Sequence, residues 1–373
     1  GIDVGTSFIK VSLLDVKTGQ CLASFTYPAA EMPVKAVRAG WAEQDPDMWW
    51  DNVCWCLKAL NTEYGLKDVG AIGITYQMHG LVCIDREGRP LRDSIIWSDS
   101  RAVEYGALAF ENIGKEKCLA RLLNSPGNFT AAKMAWVRAN EPEVFERTYK
   151  FFLPGDYIAY KLTGDISTTE SGLSEQILWD FKEDAPAEFV RDYFGIPASC
   201  LPQHKPSLGV QCHTSLQMEK QFGIPKGTPV SYRAGDQPNN AFSLNVMEAG
   251  EVAATAGTSG VVYGITDKSV ADQRSRVNQF LHVNHKQNDP HYGVLLCING
   301  TGILNAWVRR NLVPDLSYDQ MNREAAVVPP GSDGVLVLPF GNGAERMLEN
   351  RFTGVSFCGL DLNRHGRGHF LRA

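Results

Sequence analysis

Two carboxylates have neighbours that suggest chemistry. Asp3 lies in Gly1-Ile2-Asp3-Val4-Gly5-Thr6-Ser7, shortly before Lys10, and Asp236 stands between Gly235 and Gln237. The first phrase has a later counterpart, Thr255-Ala256-Gly257-Thr258-Ser259-Gly260. A Gly-Thr-Ser turn between strands exposes backbone N–H groups and hydroxyls, and glycine lets the backbone approach an anion closely. Two such turns could grip one polyphosphate from opposite sides. Gly, Ser and Thr are also common turn formers, so the triplets alone would fit ordinary hairpins equally well. Only the first copy carries an acid and a nearby base, Asp3 and Lys10. The expected picture is a duplicated hairpin with unequal chemistry in its two halves.

If the turns hold phosphates, Asp3 suits Mg2+, which keeps several waters and takes one or two carboxylates beside phosphate oxygens. Lys10 would offset charge on a transferred phosphoryl group. Asp236 is the candidate general base, in a turn where the chain passes from one domain to the next. It is equally suited to capping a helix that starts near Asn239, and the local sequence leaves both roles open. By position alone His79 reads as a hydrogen-bonded residue at a strand end and Met78 as core filler. Trp97-Ser98-Asp99-Ser100-Arg101 reads as a structural Asp–Arg pair.

The elements that must position these residues are visible in the pattern. Residues 1 to about 30 read as a strand meander, with a hairpin turn at Asp15-Val16-Lys17-Thr18-Gly19. Asp45-Pro46-Asp47 is a helix start, with Asp45 as N-cap and Pro46 in the first helical position. Trp50, Cys54 and Leu57 then recur at helical spacing and belong to a core face. Val69 to Thr75 is a buried strand leading into Tyr76-Gln77-Met78-His79-Gly80, and the end of such a strand is where an α/β fold places ligands. Helical text runs from about Ala102 to Leu162. A strand through Pro229-Val230-Ser231-Tyr232 leads to Gly235-Asp236-Gln237, and the domain boundary is expected near residue 245, giving domains 1–245 and 246–373.

Composition narrows the function classes. A chain of 373 residues exceeds one usual hydrophobic core, so two domains are expected. A net charge of −6 and a pI near 5.8 disfavour a nucleic-acid surface. No apolar run approaches the ~18 residues of a membrane span and no leader precedes the first strand, so a cytoplasmic protein is expected. Nine scattered cysteines suggest buried, reduced thiols. His282, His285 and His291 lie in polar loop text without a Cys or acidic ligand at a metal-site spacing, and they read as structural. No surface stripe marks an oligomer interface; a homodimer is carried as an expectation.

Taken together the phrases resemble the FGGY family of carbohydrate kinases, and most closely its xylulokinase branch. The resemblance runs through Asp3-Val4-Gly5-Thr6, Gly40-Trp41-Ala42-Glu43-Gln44-Asp45-Pro46, Gln77-Met78-His79-Gly80, Trp97-Ser98-Asp99-Ser100-Arg101, Leu153-Pro154-Gly155-Asp156-Tyr157, Gly235-Asp236-Gln237 and Gly257-Thr258-Ser259. It implies an α/β, two-domain actin-like ATPase (ribonuclease H-like) fold with a catalytic cleft between its domains. It implies ATP-dependent phosphorylation of a sugar hydroxyl, with Asp236 as base, Asp3 as the acid linked to Mg2+ through water, and Met78, His79, Asp236 and Gln237 at the sugar. The nucleotide would meet Thr6, Ser7, Lys10, Gly257, Thr258 and Gly302. Met78-His79 stands where glycerol kinases carry an Arg-Glu pair, which favours D-xylulose as substrate. L-ribulose, gluconate or a related polyol is the nearest alternative, and a catalytically silent nucleotide-binding module is the more distant one.

Several positions depart from the family pattern. Gln237 follows the acid where xylulokinases often have Asn, Thr168-Thr169-Glu170-Ser171-Gly172 is poor in Asp, and Gly343-Ala344-Glu345-Arg346-Met347 matches its phrase only in part. The resemblance further implies a helical region beyond Ala373 with a Gly-rich adenine-binding segment.

Overall fold

The computed structural model describes residues 1–257, 259–342, 345–349, 351 and 353–373. Its first element pair is the expected meander: β1 (Ile2–Val4), β2 (Ile9–Leu14) and β3 (Cys21–Tyr27) run antiparallel in sequence. The turn before β3 closes with the Gly19 N–H donating to the Asp15 carbonyl at 2.8 Å, and Gly19 takes a positive φ of 71° that a side chain would resist. Helix α1 (Pro46–Tyr64) follows, with the Asp45 side chain accepting from the Asp47 N–H. Its buried apolar face is Trp49, Val53, Cys56, Leu57 and Leu60. Leu57 is on it as expected, while Trp49 and Val53 take the fully buried places expected of Trp50 and Cys54, which pack half-buried against the same core. Trp50 is half-buried and meets Phe222 edge-on with ring centroids 6.4 Å apart. Each fully buried side chain of this size contributes roughly 1.5–3 kcal/mol of transfer free energy.

Strand β4 (Ile72–Tyr76), helices α2 (Thr130–Asn140), α3 (Pro154–Thr163) and α4 (Glu170–Glu175), and strands β5 (Leu208–His213) and β6 (Pro229–Gly235) complete the frame that carries the candidate residues. The six-stranded sheet has the order β5-β6-β4-β1-β2-β3. Its three central strands, β6, β4 and β1, are parallel and end in register: Val4 and Gly235 both pair with Tyr76. The helical text expected up to Leu162 is interrupted by a short strand, Lys150–Phe152, which pairs with Val82–Ile84 and buries Phe151 and Phe152 completely. Helix α5 (Asp236–Ser243) begins at the last residue of the sheet.

Further along, β7 (Val252–Ala256) and β8 (Gly260–Thr266) form an antiparallel hairpin with Ala256 opposite Gly260. Helix α6 (Thr301–Asn311) and the hairpin of β9 (Leu336–Phe340) and β10 (Gly354–Cys358) come next. By contacts the chain divides into two compact units. The first holds Gly1–Glu251, Ile265–Ala271 and Gln279–Gly293; the second holds Val252–Gly264, Asp272–Asn278 and Val294–Ala373. The chain thus leaves the first unit beyond the boundary expected near residue 245 and returns to it twice. Among the described residues no helix is long and apolar enough to cross a membrane.

Candidate active site

Three loops leave the aligned ends of β1, β4 and β6 side by side: Gly5-Thr6-Ser7, Gln77-Met78-His79-Gly80 and Asp236-Gln237. Parallel strands ending together is the arrangement in which α/β folds build ligand sites. Asp3 sits one position back in β1, opposite Lys10 in the hairpin register and paired with Thr75 on β4. The Lys10 Nζ lies 3.5 Å from Asp3 Oδ2. Burial raises the Asp3 carboxyl above its ordinary value, and Lys10 offsets part of that shift.

Asp236 is the first residue of α5, and the helix has no side-chain cap. The capping alternative is therefore not what the backbone does with this acid. Burial, and next the charge of Asp3, push the Asp236 carboxyl up to about 7, while the Gln237 backbone and side-chain amides draw it down. A carboxylate that titrates near neutrality is suited to accept a proton. Gly235 before it lets Met78 and Glu175 pack close: a Cβ there would stand 2.5 Å from Met78 Cγ and 2.7 Å from Glu175 Oε2.

The strand carrying Asp236 is anchored by a charge pair with no solvent exposure. Arg233 on β6 donates to Asp156 Oδ1 at 2.9 Å, to Gln211 Oε1 at 2.8 Å, and to the Ser167 carbonyl and Oγ at 2.9 and 3.0 Å. Thr168 Oγ1 donates to the second Asp156 oxygen at 2.7 Å. Breaking such a buried pair from one side costs about 3–5 kcal/mol.

Thr6, expected at the nucleotide, has a hydroxyl already engaged. It donates to Gln77 Oε1 at 2.9 Å and accepts from Trp97 Nε1 at 3.0 Å. Gln77 Nε2 donates to Gln44 Oε1 at 3.1 Å, and Gln44 Nε2 donates to the Thr6 carbonyl at 2.7 Å. This ring fixes the first turn, and the Gly5 N–H is spent on the Phe8 carbonyl at 3.1 Å, leaving the Thr6 and Ser7 N–H groups and the Ser7 hydroxyl as the contacts it can offer an anion. Close by in sequence the expected Asp–Arg pair is formed: Arg101 bonds both Asp99 oxygens and lies 3.8 Å from the Trp41 ring centroid.

Met78 is buried, as its core reading expected. His79 takes a φ of 60°, a left-handed conformation that costs a non-glycine residue roughly 1–2 kcal/mol. Its Nδ1 lies 3.0 Å from the Glu175 carbonyl, and its ring meets Phe129 edge-on at 4.7 Å. Two buried ionisable side chains here escaped the sequence reading, Glu175 and Lys133. Burial, followed by the charges of Asp156 and Asp236, holds the Glu175 carboxyl well above the usual carboxylate range. Lys133 donates to the His79 carbonyl at 2.7 Å and to the Ile96 carbonyl at 2.9 Å. The available signal was its setting: Ala131-Ala132-Lys133-Met134-Ala135-Trp136 is otherwise entirely apolar.

In the second unit the Gly302 N–H donates to the Gly257 carbonyl at 3.1 Å, so those two expected nucleotide contacts are adjacent. Thr258 lies outside the described residues. Gly302 is in the first turn of α6, whose N-terminal N–H groups favour an anion. A cavity of 410 Å³ adjoins it, with Gly300, Ile303, Leu304, Trp307 and Phe357 among its walls. Of the partly matching phrase, Gly343 and Ala344 lie outside the described residues. Glu345 accepts from the Asn299 N–H at 3.0 Å, a bond that braces the segment entering α6.

Asp333, His365 and His369 gather their ligand atoms within 4.8 Å. In both imidazoles Nδ1 accepts a backbone N–H, from Asp361 at 3.0 Å and from Gly366 at 3.2 Å. That leaves the proton of each neutral ring on Nε2, the nitrogen a metal would need. The backbone thus holds both rings through Nδ1, and His365 Nε2 lies 3.4 Å from Asp333 Oδ2.

The model of the FGGY family of carbohydrate kinases, N-terminal domain, matches residues 1–243. The chain belongs to the FGGY family of carbohydrate kinases. It is 29% identical over 379 residues to the xylulose kinase of Bacillus subtilis (strain 168), covering all of this chain and 73% of that protein. Among solved structures it resembles xylulose kinase from Rhodospirillum rubrum, at 28% identity and a TM-score of 0.87 over all of this chain and 74% of that one. Gluconate kinase from Lactobacillus acidophilus matches at 25% identity and a TM-score of 0.87, with the same coverage. This FGGY kinase therefore has the α/β, actin-like ATPase fold that the motifs implied. It acts as a carbohydrate kinase, with ATP and a sugar as its small-molecule partners.

Proposed function

We propose that this kinase transfers the γ-phosphoryl group of ATP to the terminal hydroxyl of D-xylulose, giving D-xylulose 5-phosphate. The observation that carries the reading is Asp236: a carboxylate just past the end of a parallel strand, raised to about 7, with Met78 and His79 on the neighbouring loop. Asp236 accepts the hydroxyl proton as that oxygen attacks the phosphorus and the bond to the ADP oxygen breaks. Phosphoryl transfer through a loose transition state asks mainly for positioning and charge stabilisation, so proton removal can come late. Met78, His79 and Gln237 orient the sugar in this scheme. The Thr6 and Ser7 N–H groups and Lys10 bind phosphate in this scheme, and the turn at Gly257 with the head of α6 is a second phosphate-binding segment.

Asp3 fits Mg2+ by the chemistry of its donor set, being a carboxylate beside a second carboxylate. Bound there, Mg2+ would neutralise charge on the transferring phosphate oxygens. The apolar walls of the 410 Å³ cavity beside Gly300 suit the adenine ring. We place this activity in the cytoplasm, where Mg-ATP is supplied.

A second reading keeps the mechanism and changes the sugar. Gln237 where Asn was expected, together with the likeness to a gluconate kinase, favours testing other acceptors. ADP release with Mg-ATP should be measured for D-xylulose, L-ribulose, gluconate and glycerol. Selective turnover of D-xylulose is the expected result. Selective turnover of another sugar would overturn the substrate while keeping the base, and nucleotide binding without sugar-dependent ADP release would favour a silent module.

A further inference from the structure

The geometry points to Lys133 as the positioning residue of the sugar-contacting loop, a buried clamp that joins the Met78-His79 segment to the Trp97 segment through two backbone carbonyls. The inference rests on the reading above that Met78 and His79 meet the sugar. Lys133 is fully buried on α2, and its Nζ donates 2.7 Å to the His79 carbonyl and 2.9 Å to the Ile96 carbonyl. Those carbonyls belong to different segments. One precedes Gly80 in the loop after β4; the other immediately precedes Trp97, whose Nε1 donates to Thr6 Oγ1.

The clamp explains a conformation the local sequence would not choose. His79 is held at a φ of 60°, and a left-handed histidine persists only where its surroundings over-determine it. The surroundings here are specific. Lys133 takes the His79 carbonyl, Thr130 Oγ1 donates to the Gly80 carbonyl at 3.3 Å, and the His79 ring is fixed between Phe129 and the Glu175 carbonyl. One turn of α2 and the residue before it thus set three consecutive features of the loop.

The amine is suited to this task. Burial lowers Lys133 to about 7; Asp99 and Glu175 favour its charge, and Arg101 opposes it. A neutral amine has two N–H bonds and an ammonium three, so both forms can serve two carbonyls. Its proton state is therefore secondary to its reach. A shorter polar side chain or an apolar one leaves at least one buried carbonyl without a donor, and the loop then relaxes away from the sugar.

The test uses Lys133→Met and the milder Thr130→Val, assayed well below each variant's melting temperature. Sugar KM, ATP KM and kcat are measured with the acceptor that the wild type turns over best, and amide exchange is followed at residues 77–80 and 96–99. The expected result for Lys133→Met is a rise in sugar KM of roughly tenfold or more, on the scale of a mispositioned contact. ATP KM should stay within about twofold, with exchange accelerated in both segments. Thr130→Val should move the same quantities less, and only in the 77–80 segment. Unchanged exchange would overturn the clamp. Faster exchange with sugar and ATP KM moving together, or neither moving, would overturn the positioning role and leave the kinase reading intact. If the wild type turns over no sugar, the kinase reading fails separately, and exchange alone decides whether Lys133 holds the loop. Should Lys133→Met fail to fold, Lys133→Gln and Thr130→Val carry the same comparison, and no shift in either would overturn the proposal.

Discussion

The two Gly-Thr-Ser turns share a sequence and a hairpin but differ in what lies beside them. The first follows β1, a central strand with parallel β4 on one side and antiparallel β2 on the other. That setting half-buries Asp3, sets Lys10 against it and brings Asp236, just beyond β6, close enough to feel its charge. The second joins β7 and β8, carries no acid, and gives instead a glycine carbonyl bonded to Gly302 at the head of α6. The same turn therefore lies beside two carboxylates in one unit and at the head of a helix in the other, where we propose that it cradles an anion. Neighbouring strands and the helix that follows decide which.

The largest expected effect falls on the first turn's neighbour. Asp236→Asn should lower kcat by about 10²–10⁴-fold, the usual share of a positioned base, with nucleotide affinity nearly unchanged. It should also stabilise the fold at high pH. The Asp236 carboxyl titrates higher in the folded protein than in the unfolded chain, so the folded state binds more protons between about 4 and about 7. Stability from this group falls as pH rises through that window, and Asn removes the loss. Melting of Asp236→Asn should exceed wild type at pH 8 and converge with it at pH 4.

Arg233→Met should come next, with a loss of about 3–5 kcal/mol by denaturant unfolding, because Asp156 would be left buried without its partner. A loss below about 1 kcal/mol would mean that the strand carrying Asp236 needs no such anchor. In the second unit the effects should be smaller. Gly260→Ala puts a Cβ 2.8 Å from Thr301 Cγ2, beside the Gly257–Gly302 contact. A rise of ATP KM by about threefold, with sugar KM unchanged, is expected from a shift of a few tenths of an ångström; sugar KM rising instead would contradict the cradle assignment.

Much of the frame was legible because it is local. Asp45-Pro46 capped its helix, Asp15 to Gly19 turned its hairpin, and short apolar runs bounded by turns marked the strands. The motif phrases likewise placed Met78 and His79 just past a buried strand, where the structure puts them, while Asp3 lies within β1 and Asp236, expected in a turn, opens α5. What escaped depended on contacts distant in sequence. Lys133 reaches His79 across 54 residues, and Arg233 reaches Asp156 across 77. Neither spacing leaves a periodic trace. The fully buried place of Trp49 on α1 was missed for a related reason: Trp50 and Trp49 are interchangeable to a pattern, and only packing against the sheet selects Trp49.

The central claim is that a half-buried carboxylate raised toward neutrality, Asp236, is the base of this kinase. The most direct test is kcat/KM for the sugar acceptor from pH 5 to pH 9, at saturating Mg-ATP and under conditions where the protein remains folded. Without bound metal the Asp236 carboxyl is raised to about 7, and Mg2+ at Asp3 would offset part of that shift, so the profile should fall on the acid side, setting in below 7, as Asp236 takes up a proton and can no longer accept one from the hydroxyl. A profile flat down to pH 5 would contradict it, since the acid would then be ordinary and solvated or would not be the base.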